Sequence, residues 1–341
     1  MLQVVNRTPL AATLSVFPNP AGVECAYAAV KATFDLSSGT PQLAPKQTQF
    51  LATDVYWGDP ITTSLRAAAD LTLLKPTTDI MVLGRAVAPR PLPMMDVTLR
   101  VGAIAKTLRL FGNRRWVRRG KEWAISEPQP FERMPLRWEH AFGGIGKIVE
   151  GKAPEHEPRN PVGVGFIASY EDDFEGRALP NIEDPAQLIG APRDRPAPVG
   201  WVPVAPAWMP RRAYAGTYDE AWQRTRAPFL PKDFDPLFFN AAPTGLVAPE
   251  YLVGGEQVQL DGCTGGGALR FVLPAPRVEL QWDFDGREID AEPKLDTVLI
   301  EPDQARLQMV WRADLAVDKR LTRLRHVRVQ CADYAVERKA A

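Results

Sequence analysis

Apolar and polar residues alternate along the first third of the chain. From residue 30 to residue 36 every second side chain is apolar, which predicts a strand with one apolar and one polar face. A turn follows, and residues 41–43 begin a return strand. The wholly apolar run 80–83 predicts a short strand that is buried on both faces. Residues 64–74, between these strands, are consistent with a short helix.

The same alternation returns after residue 256, where Gly-rich or Asp-Gly turns separate short apolar-patterned runs. Asp285-Gly286 is a strong signal for a tight hairpin turn. The late run 323–330 changes its apolar parity near His326, which predicts a β-bulge there. The predicted hairpins pair 97–101 with 106–111, 257–261 with 269–273, 280–284 with the run after the Asp-Gly turn, and 295–300 with 307–311.

The pattern breaks between these β regions. Residues 128–249 hold more than half of the 33 prolines and half of the aromatic residues. Prolines remove backbone donors and end regular elements, whereas a disordered linker would lack the aromatic residues. We therefore expect ordered irregular structure packed on sheets, centred on 198–243. One helix is predicted at 221–226, where Thr217 and Glu220 form a capping box and Pro228 stops the helix.

Together these patterns predict an all-β fold, mainly antiparallel sandwich or barrel-like sheets, with a long Pro- and aromatic-rich irregular middle and a few short helices. The predicted organisation is an N-terminal β region at 1–112, an irregular region at 113–256 and a C-terminal β region at 257–341. The three regions could form one composite domain.

Charge and cysteine content limit the possible binding partners and the cellular compartment of the protein. The chain has 41 basic and 41 acidic residues, so it lacks the basic excess of a general nucleic-acid or anionic-membrane binder. The three cysteines are far apart and odd in number, which indicates buried thiols in a reducing compartment. No apolar run is long enough to cross a bilayer, and the N-terminus lacks a signal-peptide pattern. We expect a cytoplasmic protein without a membrane partner.

Catalytic patterns are weak throughout the chain. The three histidines form no metal-binding pair, and Gly143-Gly144-Ile145-Gly146 is better explained as a turn than as a phosphate loop. Adjacent carboxylates and nine tryptophans leave a carbohydrate-binding or glycoside-hydrolase-like β protein as an alternative. Most such carboxylates are solvated turn residues. We predict no enzyme, and no catalytic, cofactor or metal site.

The middle region carries the candidate binding residues instead. Arginines interleaved with tryptophans suit stacking on nucleic acid, packing of guanidinium groups over aromatic faces, or a protein-binding surface. The neutral total charge argues against nucleic acid, and packing of arginines over aromatic faces is the commoner use of such clusters. The candidate partner-binding residues are Trp208, Arg211, Arg212, Tyr214, Tyr218, Asp219 and Trp222.

A set of short runs, spread over nearly the whole chain, carries a family resemblance. The runs are 4–9 (VVNRTP), 30–34 (VKATF), 75–79 (KPTTD), 111–116 (FGNRRW), 139–144 (EHAFGG), 158–166 (PRNPVGVGF), 179–183 (LPNIE), 215–219 (AGTYD), 230–235 (LPKDFD) and 295–298 (LDTV). The set resembles a bacterial family catalogued as a domain of unknown function. Its members lie near type VI secretion genes and act as adaptors that load toxins with a PAAR-like domain onto the VgrG spike.

The resemblance implies a non-enzymatic cytoplasmic adaptor or chaperone whose partners are a PAAR-like toxin and the VgrG spike. It implies no catalytic residues. A structural component of the secretion apparatus, retained in the spike, is a further alternative.

Overall fold

The computed structural model of the protein describes residues 3–334, and β-strands dominate it. In chain order the strands are β1 (Gln3–Asn6), β2 (Ala11–Pro18), β3 (Glu24–Asp35), β4 (Gln42–Leu43), β5 (Val55–Tyr56), β6 (Leu65–Ala67), β7 (Asp79–Val82), β8 (Arg85–Leu92), β9 (Met94–Val101), β10 (Ile104–Phe111), β11 (Trp116–Arg119), β12 (Glu122–Ile125), β13 (Phe131–Pro135), β14 (Phe142–Gly143), β15 (Val164–Gly165), β16 (Ile182–Glu183), β17 (Gln257–Asp261), β18 (Leu269–Val272), β19 (Val278–Phe284), β20 (Arg287–Ala291), β21 (Lys294–Glu301), β22 (Arg306–Ala316) and β23 (Leu324–Cys331).

Helical structure is short. The α-helix α1 spans Glu220–Thr225, and single 3₁₀ turns lie at Trp138–His140, Arg211–Ala215, Pro236–Phe239, Pro302–Gln304, Leu321–Arg323 and Ala332–Tyr334. Within residues 3–334, no helix combines the length and the apolar character needed to span a bilayer.

The central sheet joins the two ends of the chain. Its strands lie in the order β2-β3-β22-β21-β7, and β4 also pairs with β3. The two longest strands, β3 and β22, are antiparallel along the whole length of β22, from Asp35 opposite Arg306 to Cys25 opposite Ala316. Only the β21–β7 pair is parallel among the described strands of this sheet. N-terminal and C-terminal segments thus form one sheet.

Two further sheets complete the main framework. One has the order β16-β10-β9-β17-β18, and the other has the order β1-β23-β19-β20. The predicted hairpins are all present, and Asp285 and Gly286 both have positive φ in the tight turn between β19 and β20. The bulge near His326 is confirmed, because His326 pairs with Asp283 whereas Phe284 pairs with Leu324.

The alternation predicted for residues 30–36 is present, but its polar face is not exposed, because both faces of β3 are buried from Cys25 to Phe34. Residues 44–75 cross this face as a strap and satisfy its polar side chains. Lys31 lies 2.5 Å from the Asp70 carboxylate, and the Gln47 amide bonds both the N–H and the C=O of Thr33. Paired charges can be buried where unpaired ones cannot.

The helix considered for residues 64–74 is also wrong. Leu65–Ala67 is instead strand β6, which pairs with β5. The backbone after β6 is hydrogen-bonded to the central sheet instead, since the Arg312 side chain of β22 donates to the carbonyl of Asp70 at 2.8 Å. Backbone groups that bond side chains of the sheet are not available for helical hydrogen bonds.

The predicted all-β fold is confirmed, and one large apolar cluster lies between the sheets and the irregular middle. Trp201 from the middle and Trp282 from β19 are both fully buried in this cluster.

The helix predicted after Thr217 is present as α1, but its cap is Asp219, whose carboxylate accepts from the N–H of Trp222. Thr217 has another role, described below.

Candidate partner-binding surface

The middle segment 198–243 is fixed to the edge of the central sheet at both ends. At its start, the carbonyl of Trp201 accepts from the N–H of Val82 in β7 at 3.0 Å. At its end, the carboxylate of Asp79 accepts from the N–H groups of Ala241 (2.8 Å) and Ala242 (3.1 Å). Asp79 has no solvent exposure and is also paired with Lys75 at 2.8 Å. The segment is therefore ordered by backbone contacts, although it has almost no regular structure.

Two of the candidate binding residues help to hold this segment in place. Trp208 is buried and packs edge-on against Trp138, with ring centroids 6.3 Å apart. Arg211 is also buried, and donates to the carbonyls of Val204 (2.6 Å) and Phe238 (3.0 Å). Burial lowers the pKa of the Arg211 guanidinium. These two side chains face the interior, where a partner would not reach them.

The exposed part of the segment presents three aromatic rings, which we call the aromatic tip: Tyr218, Trp222 and Phe229. The rings of Tyr218 and Trp222 meet edge to face at 4.7 Å, and the indole N–H of Trp222 donates to the carbonyl of Phe229 at 2.9 Å. Tyr218 is 53% exposed and Phe229 is 38% exposed, while Trp222 is half-buried between them. Phe229 was not among the predicted residues. Its position just after Pro228, where the predicted helix ends, was the sequence feature that could have indicated an exposed ring in a loop.

The aromatic tip is attached to the rest of the fold on both sides. Arg226, at the end of α1, donates to the carbonyl of Leu230 (2.8 Å) and to that of Pro20 (2.5 Å), which lies between β2 and β3. On the other side, the Asp233 carboxylate accepts from the N–H (3.0 Å) and the hydroxyl (2.7 Å) of Thr217. These hydrogen bonds lower the pKa of Asp233. The rings are thus presented on a braced loop.

The remaining candidates differ in exposure. Arg212 and Asp219 are exposed, and Tyr214 is half-buried. The carboxylate of Asp219 is engaged as the helix cap of α1. The structure therefore brings Tyr218, Asp219 and Trp222 together. Arg212 and Tyr214 lie in the 3₁₀ turn Arg211–Ala215, which packs on the turn Pro236–Phe239, and Trp208 and Arg211 support the segment from the interior.

A separate cavity of about 230 Å³, lined by both charged and apolar side chains, lies between the strap and the central sheet. Its charged lining residues are Lys31, Arg66, Asp70, Lys75, Glu301, Arg306 and Arg312. The two carboxylates in this set are each held by a cation. Asp70 is paired with Lys31, and Glu301 receives bonds from Arg306 at 2.5 and 2.8 Å. None of its lining residues is aromatic.

That cavity differs from a sugar-cleaving cleft, which needs two carboxyl groups facing a substrate and uses aromatic side chains for stacking. The histidines are dispersed: His140 contacts Asn181, and His326 lies 3.7 Å from Asp283. Within residues 3–334, no cluster of three His, Cys, Asp or Glu side chains has metal-binding geometry. The turn expected at Gly143–Gly146 is wrong, since Gly143 belongs to β14 and pairs with Gly165 of β15.

The short runs that carry the family resemblance contact one another in space. In the run 75–79, Lys75 donates to the Thr297 hydroxyl of the run 295–298 at 2.7 Å. Similarly, Phe111 donates its N–H to the Asn181 carbonyl at 2.8 Å. The Thr217–Asp233 bonds link the runs 215–219 and 230–235. The first contact joins the segment before β7 to β21, the second joins β10 to the irregular middle, and the third closes a loop within the middle.

Comparison with known proteins gives one family assignment. Among curated proteins and among solved structures there is no significant match. Residues 21–312 match the family described as "Uncharacterized protein conserved in bacteria (DUF2169)". Because the match covers most of the chain, from β3 through most of β22, the protein belongs to this bacterial family.

Proposed function

We propose that the protein is a type VI secretion adaptor that binds a toxin with a PAAR-like domain and delivers it to the VgrG spike. The observation that carries this proposal is the aromatic tip, which exposes rings on a braced loop. The resemblance of the sequence runs to secretion adaptors supports it, and the family match agrees with the bacterial origin that this role requires.

The aromatic tip has the chemistry of a protein-binding hot spot. Tyrosine and tryptophan dominate such sites because they supply a large contact area with few rotatable bonds. Tyr218 and Trp222 already restrict each other through edge-to-face packing, and the Trp222 indole is fixed by the Phe229 carbonyl. When a partner covers these rings, their side chains would lose little conformational entropy. More of the free energy of apolar burial would then contribute to affinity.

The chemistry around the rings suits a neutral or mixed-charge partner surface. Exposed Glu220 and Arg224 on α1, the helix that carries Trp222, place both signs of charge beside the tip, and the chain as a whole has no net charge. Binding would then depend on apolar contact, with only weak dependence on salt. This property distinguishes a protein partner from a polyanion, for which affinity falls steeply as salt increases.

The test is co-purification of the full chain with the PAAR-like toxin and the VgrG protein encoded beside it. We expect the wild-type chain to retain the toxin. The double substitution Tyr218→Ala with Phe229→Ala should weaken toxin binding at least tenfold, since truncation of a hot-spot ring costs about 2 kcal/mol or more. Thermal unfolding of the variant checks that the fold is retained.

A matched control removes apolar surface elsewhere. Ile61→Ala and Val253→Ala shorten side chains that are 86% and 79% exposed, and both should bind the toxin as the wild type does. Failure to bind either the toxin or the spike protein would contradict the proposal. Stable retention of the chain in assembled spikes, without toxin transfer, would favour a structural component instead.

A further inference from the structure

The cavity between the strap and the central sheet has more cationic than anionic side chains in its wall. Its lining includes five lysine and arginine residues but only two carboxylates, Asp70 and Glu301. Asp70 pairs with Lys31, and Glu301 pairs with Arg306. The wall therefore contains three cations that no lining carboxylate balances.

Two of these three cations are balanced from behind the wall. Asp79 pairs with Lys75 at 2.8 Å and Asp296 pairs with Arg312 at 2.7 Å, and neither carboxylate lines the cavity. Arg66 is then the one lining cation that has no ion pair among residues 3–334. After every pair is counted, the cavity keeps a single positive charge that its own chain does not balance.

Arg66 lies where the cavity meets solvent. Its side chain is exposed, whereas Lys31, Lys75 and Arg312 are buried. The Arg66 guanidinium lies 5.2 Å from the centroid of the Trp57 ring, and that of Arg137 lies over the same ring at 3.4 Å. An anion at this opening would be attracted by both guanidinium groups, and the low-dielectric wall beside it would strengthen the attraction.

The rest of the lining is largely aliphatic. Leu299 of β21 lies between Met81 of β7 and Gln308 of β22 in the sheet, and it is only half-buried although its strand is not at an edge. The aliphatic side chains of the wall are Leu51, Val55, Met81, Leu83, Leu299 and Val310. Apolar walls with a few placed polar groups are typical of small-molecule sites.

We propose that this cavity binds a small aliphatic carboxylate, which is held by Arg66 at the opening while its alkyl chain lies against the aliphatic wall. A guanidinium can bind a carboxylate through two parallel hydrogen bonds. Ligand pockets usually measure about 300–1,000 Å³, so a cavity of about 230 Å³ selects a short chain.

The charge of the cavity is the reason to choose a monoanion. One negative charge balances the unpaired Arg66, whereas a phosphate dianion would leave excess negative charge in a cavity that already contains Asp70 and Glu301. A neutral ligand would leave Arg66 unbalanced. The inference does not depend on the adaptor function, because it requires only this chain.

The experiment is isothermal titration calorimetry of the full chain with sodium hexanoate, and with sodium acetate, 1-hexanol and inorganic phosphate for comparison. We expect hexanoate to bind. Acetate lacks most of the alkyl chain, 1-hexanol lacks the charge, and phosphate lacks the chain and carries the wrong charge. Each of the three should therefore bind at least about tenfold more weakly than hexanoate.

Two variants test the assigned contacts. Arg66→Gln removes the unpaired charge from an exposed position, and Leu299→Phe adds volume to the wall, so each should weaken hexanoate binding about tenfold or more. The matched control is Arg118→Gln, since Arg118 is also an exposed arginine without an ion pair, 5.0 Å from the centroid of the Trp123 ring. It should bind hexanoate as the wild type does. Thermal unfolding checks that each variant retains the fold.

Absence of hexanoate binding at millimolar concentrations would overturn the proposal. Hexanoate binding that neither Arg66→Gln nor Leu299→Phe weakens would overturn it too, since the ligand would then lie elsewhere. Equal affinity for hexanoate and phosphate would refute the aliphatic ligand. Loss of toxin binding in Arg66→Gln, in a chain that binds no small acid, would show that a partner's carboxylate occupies the opening instead. Toxin binding through the aromatic tip is tested separately, by Tyr218→Ala with Phe229→Ala.

Discussion

Asp233 accepts two hydrogen bonds from Thr217, one from its N–H at 3.0 Å and one from its hydroxyl at 2.7 Å. This contact closes the loop that presents the aromatic tip. The side-chain bond and then the backbone bond lower the pKa of Asp233 below its ordinary value. Thr217→Val removes the hydroxyl at nearly constant volume, so we expect the pKa of Asp233 to rise, as measured by carboxyl NMR titration.

The direction of the pH effect follows from this shift. A carboxyl whose pKa is lower in the folded protein stabilises the fold above its unfolded pKa of about 3.9. That stabilisation is lost as the pH falls below this value toward the folded pKa. The stability difference between wild type and Thr217→Val should therefore be present at neutral pH and should shrink in acid. Equal pKa values for Asp233 in the two proteins would contradict this account.

Asp79 should be the most sensitive single anchor of the middle segment. Asp79→Asn leaves the buried ammonium of Lys75 without its counter-charge, and removal of one partner from a buried pair costs roughly 3–5 kcal/mol. Urea unfolding measures this loss. In the wild type, the N–H groups of Ala241 and Ala242 donate to the Asp79 carboxylate. Hydrogen exchange should show that these two amides lose protection in the variant.

The matched control for this substitution is an exposed ion pair. Glu220 and Arg224 lie 3.6 Å apart and are both largely exposed, and such pairs contribute little to stability. Glu220→Gln should leave the free energy of unfolding nearly unchanged. A similar effect of the two substitutions would show that Asp79 is not the anchor inferred from its contacts.

Arg312 and Asp296 should behave as a coupled pair. They lie 2.7 Å apart with almost no exposure, and Arg312 also holds the strap through the Asp70 carbonyl. Arg312→Met leaves the Asp296 carboxylate buried and unpaired, which is strongly destabilising, whereas Arg312→Met with Asp296→Leu leaves no isolated charge. The double variant should be more stable than the sum of the single effects by about 1–3 kcal/mol. Strictly additive effects in urea unfolding would contradict the coupling.

Much of the fold could be predicted because period-two patterning is a local property of the sequence. The hairpin at Asp285-Gly286 and the bulge at His326 are both visible in neighbouring residues. The burial of Lys31 was not predictable in this way. Its partner Asp70 is 39 residues away, and no local pattern indicates that a strap will cover the polar face of β3.

The candidate site was predicted less completely, for a related reason. Large aromatic residues in a Pro-rich segment can either anchor the segment or face solvent, and composition does not distinguish the two. Trp208 packs on Trp138 in the interior, while Tyr218 is exposed. Only the folded chain shows which rings pack in the interior and which are exposed to solvent.

Gly143 should tolerate no side chain. Its φ of +152° is rarely adopted by other residues, and a Cβ would lie 2.1 Å from the carbonyl oxygen of Asn160. Since backbone cannot yield as a flexible side chain does, Gly143→Ala should cost more than about 4 kcal/mol or prevent folding. Gly266→Ala, in a hairpin turn with open space around it, is the control and should unfold at nearly the wild-type temperature. Normal stability of Gly143→Ala would refute the close crossing of β14 and Asn160.

The three cysteine thiols should be unreactive in the folded protein. Burial raises the pKa of Cys263 to about 12, and it also raises the pKa values of Cys25 and Cys331. Because the thiolate is the reactive form, Ellman's reagent at pH 8 should react very slowly with the native chain. In urea the same reagent should modify all three thiols. Ser38→Cys places a thiol on an exposed turn and should add one rapidly reacting equivalent. A rapid equivalent in the wild-type chain would mean that one of the three thiols is accessible, contrary to its burial in the fold.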